Sequence, residues 1–186
     1  MIEFKHFAKI PRWSDEITIT EKLDGTNACV IIDEDGSIGA QSRSRLLEVS
    51  ENPQNDNHGF GKWVWENQKE LLKLGKGHHY GEWYGKGINL NYGLKERRFA
   101  LFNTNRWNNE NKPECCEVVP ILYSGRNITG VIEQFVGYLT SHGSVAAPGF
   151  MQPEGLMIFH HKAGQFFKKL IEGDLTHKSE NKNESI

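Results

Sequence analysis

The 186-residue sequence is poor in cysteine, with only Cys29, Cys115 and Cys116. An adjacent pair plus one distant thiol forms no disulfide framework and no zinc-site spacing, and the expected compartment is a reducing, cytoplasmic one. No window approaches the ~20 consecutive apolar residues that a membrane span requires. The opening MIEFKHFAKIPRW lacks the apolar stretch of a secretory leader. Positive charge is not in excess either: 22 Lys and Arg stand against 24 Asp and Glu, for a formal net charge of -2. That excludes a polybasic, histone-like protein and leaves any nucleic-acid contact to a local cluster of Lys and Arg. Internal repeats are missing. Low complexity is confined to DLTHKSENKNESI at 174–186, which carries no aromatic residue and reads as a disordered tail.

What the chain does have is aromatic and β-branched residues. Ten Phe, five Trp and five Tyr suffice for a real core in one large domain, expected over 1–173. Residues 17–23 and 27–32 carry strand patterning, and DEDGS at 33–37 turns into a third strand near 38–42. Further strands are expected at 78–85, 98–103, 117–122, 155–160 and 165–171. Phe60, Trp63, Val64, Leu71 and Leu74 share a helical face over 60–74, which Gly75 would end. Ile128, Val131, Ile132, Phe135, Val136 and Leu139 predict a second helix over 128–141. The Asn-, Pro- and Gly-rich stretches 50–59 and 105–114 read as loops. Hairpin-like strands with two inserted helices predict an α+β fold of antiparallel sheets with flanking helices, not a doubly wound one.

The most informative stretch is Glu21-Lys22-Leu23-Asp24-Gly25-Thr26-Asn27. By itself, Lys-x-Asp-Gly also suits a hairpin with a solvated lysine, since Asp-Gly is a common turn dipeptide. Other segments accompany it in order: Ser42-Arg43-Ser44-Arg45, Gly81-Glu82-Trp83-Tyr84-Gly85, Arg98-Phe99-Ala100-Leu101-Phe102-Asn103, Pro153-Glu154-Gly155-Leu156-Met157 and Gln165-Phe166-Phe167-Lys168-Lys169. Together they resemble the motifs of the covalent nucleotidyltransferases. Of these, EKLDGTN is most similar to the RNA ligase family typified by phage nick-sealing enzymes.

The resemblance implies an ATP-grasp-like nucleotidyltransferase core without an OB-fold. It also implies an ATP-dependent RNA ligase that carries AMP on a lysine, uses Mg²⁺ or Mn²⁺, and joins a 5′-phosphate end to a 3′-hydroxyl. Lys22 would attack the α-phosphate, and Glu21 would lie near the adenine edge. Phe102 would stack on the base, unless it is simply a core aromatic. Glu82 would hold the ribose or the metal, and Glu154 the metal. Arg43 and Lys168 would contact phosphates, with Lys169 and Arg45 as further candidates, and Asn27 would orient phosphate or metal-bound water. The implied partner is RNA or a nicked duplex. A monomer in bacterial or phage-infected cytosol, with no membrane contact, is expected.

The chemistry asks for such a setting. A lysine amine is nucleophilic only when neutral, and with a reference pKa of about 10.4 that form costs roughly 4–5 kcal/mol at pH 7. A ring of Arg43, Lys168, Lys169 and a divalent cation is expected to favour the neutral amine by like-charge repulsion, and to offset charge developing on the phosphate. The family pattern is not met everywhere. Asp24 stands where the phage relatives carry His, Asn103 replaces a usual Asp, and Lys168 is followed by Lys169 instead of the usual Lys-x-Lys. A DNA-nick ligase, an enzyme that only adenylylates ends, and a non-catalytic module binding nucleotide or RNA ends therefore stay open as alternatives. The tryptophans Trp63, Trp65, Trp83 and Trp107 are expected in the core or at its rim. The neighbouring pairs His78-His79 and His160-His161 point to opposite strand faces, so neither pair can share one metal.

Overall fold

The computed structural model describes residues 2–174. Apart from Asp174, the expected tail lies outside the described residues.

In β1 (Glu16–Lys22) the sequence EITITEK alternates, so Ile17, Ile19 and Glu21 are buried on one face while Thr18, Thr20 and Lys22 occupy the other. This strand is central in a four-stranded antiparallel sheet, between β8 (Ile121–Arg126) and β9 (Gly155–His160), with β10 (Gln165–Leu170) beyond β9. The buried face of β1 packs with Leu156 and Ile158 against Val131 and Leu139 of the helix α3 (Val131–His142).

The second sheet has six strands, in the order β4 (Leu46–Leu47), β3 (Ile38–Ser42), β2 (Thr26–Ile32), β5 (Gly77–Gly85), β6 (Arg97–Leu101) and β7 (Cys116–Val118). Its core joins Val30, Trp83 and Phe99 to Phe60, Leu71 and Leu74 of the helical segment. Trp83 and Trp107 are buried and Trp63 packs against this cluster, whereas Trp65 is exposed at the rim.

Four local expectations are corrected. The helix over 60–74 is broken into α1 (Phe60–Glu66), α2 (Gln68–Leu71) and a 3₁₀ turn at Leu72–Leu74. Asn67 leaves helical geometry (φ -109°) and its side-chain amide donates to the Trp63 carbonyl at 2.8 Å, competing with the helix's own ladder. The second helix starts at Val131 because Gly130 before it is left-handed, with φ 83°. The strand expected over 117–122 is two strands, because the chain leaves one sheet and enters the other at Val119–Pro120. Finally, β6 and β7 pair in parallel, so the sheets are not purely antiparallel.

The chain also changes sheets at Leu23–Gly25, since β1 and β2 belong to different sheets. The Asp-Gly dipeptide is therefore no hairpin turn, and the solvated-hairpin reading of Lys22 is excluded. Both crossings meet where the Glu21 N–H donates to the Pro120 carbonyl at 3.0 Å.

Candidate active site

A cleft of about 1110 Å³ is lined by the Thr18, Thr20, Lys22 face of β1 with β9 and β10 on one side, and by β2, β5 and the segment after β6 on the other. Lys22, the last residue of β1, stands in register with Gly155, the first of β9. That register delivers Glu154, and its Oε2 accepts a hydrogen bond and ion pair from the Lys22 Nζ. Gly155 is required here. Its φ is 153°, and a Cβ would fall 2.2 Å from the Lys169 carbonyl of β10.

Glu82 approaches from the opposite sheet, opposite Asn27 in the β2–β5 register. Its Oε1 accepts the Gly25 N–H at 3.0 Å and its Oε2 the Asn27 amide at 3.4 Å. Burial pushes the Glu82 carboxyl up to about 7; Lys22 and the Gly25 N–H pull it down, while the charges of Glu154 and Asp24 push it further up. Gly25 packs so closely on β5 that a Cβ would meet the Trp83 carbonyl at 2.4 Å. The Lys22–Asn27 loop is thus pressed against the strand that carries Glu82.

Residues distant in sequence hold this loop. The Asp24 N–H donates to the Tyr92 hydroxyl at 2.8 Å, and the Asn89 side-chain amide donates to the Gly25 carbonyl at 2.8 Å and to Asp24 Oδ1 at 3.2 Å. Asn89, Asn91 and Tyr92 all have positive φ, which shapes their loop for this contact. In the sequence, NLNYG signals only a turn-rich loop, so these positioning residues were missed.

The remaining expected residues divide. Arg43, Lys168, Asn27 and Phe102 line the cleft, and Phe102 is 37% exposed instead of a core aromatic. Lys169 faces the other side of β10 and pairs with Asp174 at 2.7 Å. Arg45 turns away to the Asp56 carbonyl at 2.9 Å. Glu21 is 1% exposed, and its side chain serves the 144–147 loop: it accepts Ser144 Oγ at 2.6 Å, the Val145 N–H at 2.8 Å and the Ala146 N–H at 3.0 Å. Its carboxylate is spent on structure, not open to an adenine edge. Burial raises its pKa, and the three hydrogen bonds oppose that rise.

The ring of positive charge is also corrected. The amine of Lys22 contacts a carboxylate, with Glu82 and Asp24 beside it, so the site around it is acidic.

Among the described residues no group of three or more His, Cys, Asp or Glu forms a cage for a metal ion. Glu82 and Glu154 nevertheless fit a hard cation of the Mg²⁺ kind, which takes one or two carboxylates and completes its shell with phosphate oxygens and water. The cleft has room for a nucleotide, with Phe102 to stack a base and Arg43 and Lys168 to meet phosphates.

A family model described as RNA ligase matches residues 15–176. No curated protein sequence matches the chain. Solved structures of Naegleria gruberi RNA ligase share the fold. The complex with PPi has a TM-score of 0.61 and 23% identity over 84% of this chain and 50% of that one. A mutant with ATP and Mn has a TM-score of 0.59 and 20% identity over 86% and 51%. Another mutant, with AMP and Mn, has a TM-score of 0.59 and 22% identity over 85% and 50%. The chain therefore spans about half the length of these structures. Since the family model matches most of the sequence, the chain belongs to the RNA ligase family.

Proposed function

We propose that the protein is an ATP-dependent RNA ligase working through a lysyl-AMP intermediate on Lys22. The observation that carries this reading is the Lys22 amine at the floor of the cleft, in contact with Glu154 and beside Glu82, with Arg43 and Lys168 on the walls.

The Lys22 nitrogen, once deprotonated, attacks the α-phosphorus of ATP. The N–P bond forms as the bond to the pyrophosphate oxygen breaks. Arg43 and Lys168 receive the phosphates and offset the charge on the leaving group. An oxygen of the RNA 5′-phosphate then attacks the same phosphorus, the N–P bond breaks, and the amine regains a proton. The 3′-hydroxyl attacks the activated 5′-phosphate, loses its proton and expels AMP. A bound divalent cation would engage the carboxylates of Glu82 and Glu154 and supply positive charge beside the phosphates. Before the first step Glu154 must yield its contact, because the nitrogen lone pair that attacks has to face the phosphorus and not the carboxylate.

Incubation with α-labelled ATP and Mg²⁺, followed by a denaturing gel, tests this. The expected result is an acid-labile label on the protein that pyrophosphate discharges and that Lys22→Ala lacks. A label that survives Lys22→Ala, or no label at all, overturns the reading. Sealing of RNA and DNA ends by the labelled protein then separates a ligase from an end-adenylylating enzyme.

A further inference from the structure

The cleft is chemically divided. The carboxylates of Asp24, Glu82 and Glu154 all cluster at the Lys22 end of the cleft. Away from that end the wall changes. Thr20 is in register with Met157, and Met157 with Lys168; Thr18 is in register with Phe159, and Phe159 with Phe166. The Thr18 row is four residues from Lys22 along β1, or about 13 Å.

In that row the Phe159 and Phe166 rings lie 4.6 Å apart, and His161 meets Phe159 edge-on at 5.0 Å. His161 is fixed by a 2.8 Å hydrogen bond between its ring and Thr18 Oγ1, and its N–H donates to the Glu16 carbonyl at 3.0 Å. The cluster is thus held in place, yet Phe166 stays 63% exposed. A fixed aromatic surface left in water is a binding surface with little ordering cost. Its charge surroundings select the occupant. Lys168 stands on the same face of β10, one row nearer the amine, and no carboxylate lines this part of the cleft among the described residues. An aromatic ledge beside a cation suits a nucleotide strand, with a base over the ring and the phosphates on the positive side.

We propose that the Phe159–Phe166 ledge stacks an unpaired base of the RNA end that is brought to Lys22. The inference rests on the ligase reading and adds to it a substrate form: an end with at least one unstacked nucleotide, since a base within a duplex has both faces covered.

Two fluorescent probes test it by anisotropy with the full chain: a short 5′-phosphorylated oligoribonucleotide, and the same strand abasic at its terminal positions. Phe166→Ala is expected to bind the first about tenfold more weakly than wild type, with unchanged affinity for the abasic strand, while Phe166→Trp restores binding. Equal binding of both probes by wild type and Phe166→Ala overturns the ledge, and is what a surface built for a protein partner would give. Equal loss on both probes also overturns it, because the ring then acts through protein shape instead of a base. Wild-type protein indifferent to RNA overturns it as well. Anisotropy requires no turnover, so failure of the ledge is distinct from failure of ATP labelling at Lys22, which sinks the ligase reading itself.

Discussion

The Lys22 amine and the Glu154 carboxylate meet because the last residue of β1 lies opposite the first residue of β9. This pair places the amine proposed as nucleophile directly against a carboxylate. Glu154→Gln frees the amine from its ion pair but weakens the carboxylate set proposed to hold a cation. The expected net effect is loss: labelling by α-labelled ATP at saturating Mg²⁺ falls by about 10²-fold, as for removal of other electrostatic groups at a reacting centre. Raising Mg²⁺ would not restore it.

Glu82 makes the stability of the nucleotide-free protein pH-dependent. Its carboxyl is raised from an ordinary value of 4.5 to about 7, so between these pH values the folded state holds a proton that the unfolded chain has released. The Glu82 contribution is therefore full below pH 4.5 and drains as pH rises from there through 7, by about 3 kcal/mol in total. Urea unfolding at stepped pH, without metal or nucleotide, should show this slope in wild type and a flatter one in Glu82→Gln.

Glu21 acts as a clamp on the 144–147 loop, so its loss reads out in folding. Glu21→Ala strands the buried Ser144 hydroxyl and two N–H groups, at about 3 kcal/mol, and should lower the urea midpoint accordingly.

Two glycines with positive φ should both lose stability on substitution, but by very different amounts. Gly155→Ala drives a Cβ into the β10 backbone, and is expected to cost more than 3 kcal/mol or prevent folding. Gly36→Ala, with nothing within 4 Å of the added Cβ, meets only the φ 81° strain of about 1 kcal/mol. Thermal melts of the two variants make the comparison.

The adjacent lysines separate in the same way. Lys168→Ala should raise the ATP concentration needed for labelling, while Lys169→Ala removes only the partly exposed pair with Asp174, worth under about 1 kcal/mol. Titration of labelling against ATP distinguishes them.

Much of this was legible in the sequence. The alternation of Ile17 and Ile19 with Thr18, Thr20 and Lys22 sets β1 and its two faces, and Pro153-Glu154-Gly155 marks the entry to β9. Such signals are local, and period-two patterning carries them directly. What was not legible depends on partners far along the chain. Nothing near Glu21 announces that Ser144, Val145 and Ala146 will absorb its carboxylate, and nothing in Asn89 or Tyr92 points to Asp24. The parallel pairing of β7 and the break at Asn67 were hidden for related reasons. One depends on which strand edge is free, the other on a side chain competing with its own backbone. The acidic setting of Lys22 was missed because charge counted along a motif list says nothing about which groups lie nearest the amine.

The two places where the chain passes between sheets are bonded to each other, Glu21 to Pro120, beside the lysine that ends β1. Like pages bound at a spine, the two walls of the cleft are tethered there, so the wall that carries Glu154 and the wall that carries Glu82 are held together at the Lys22 end.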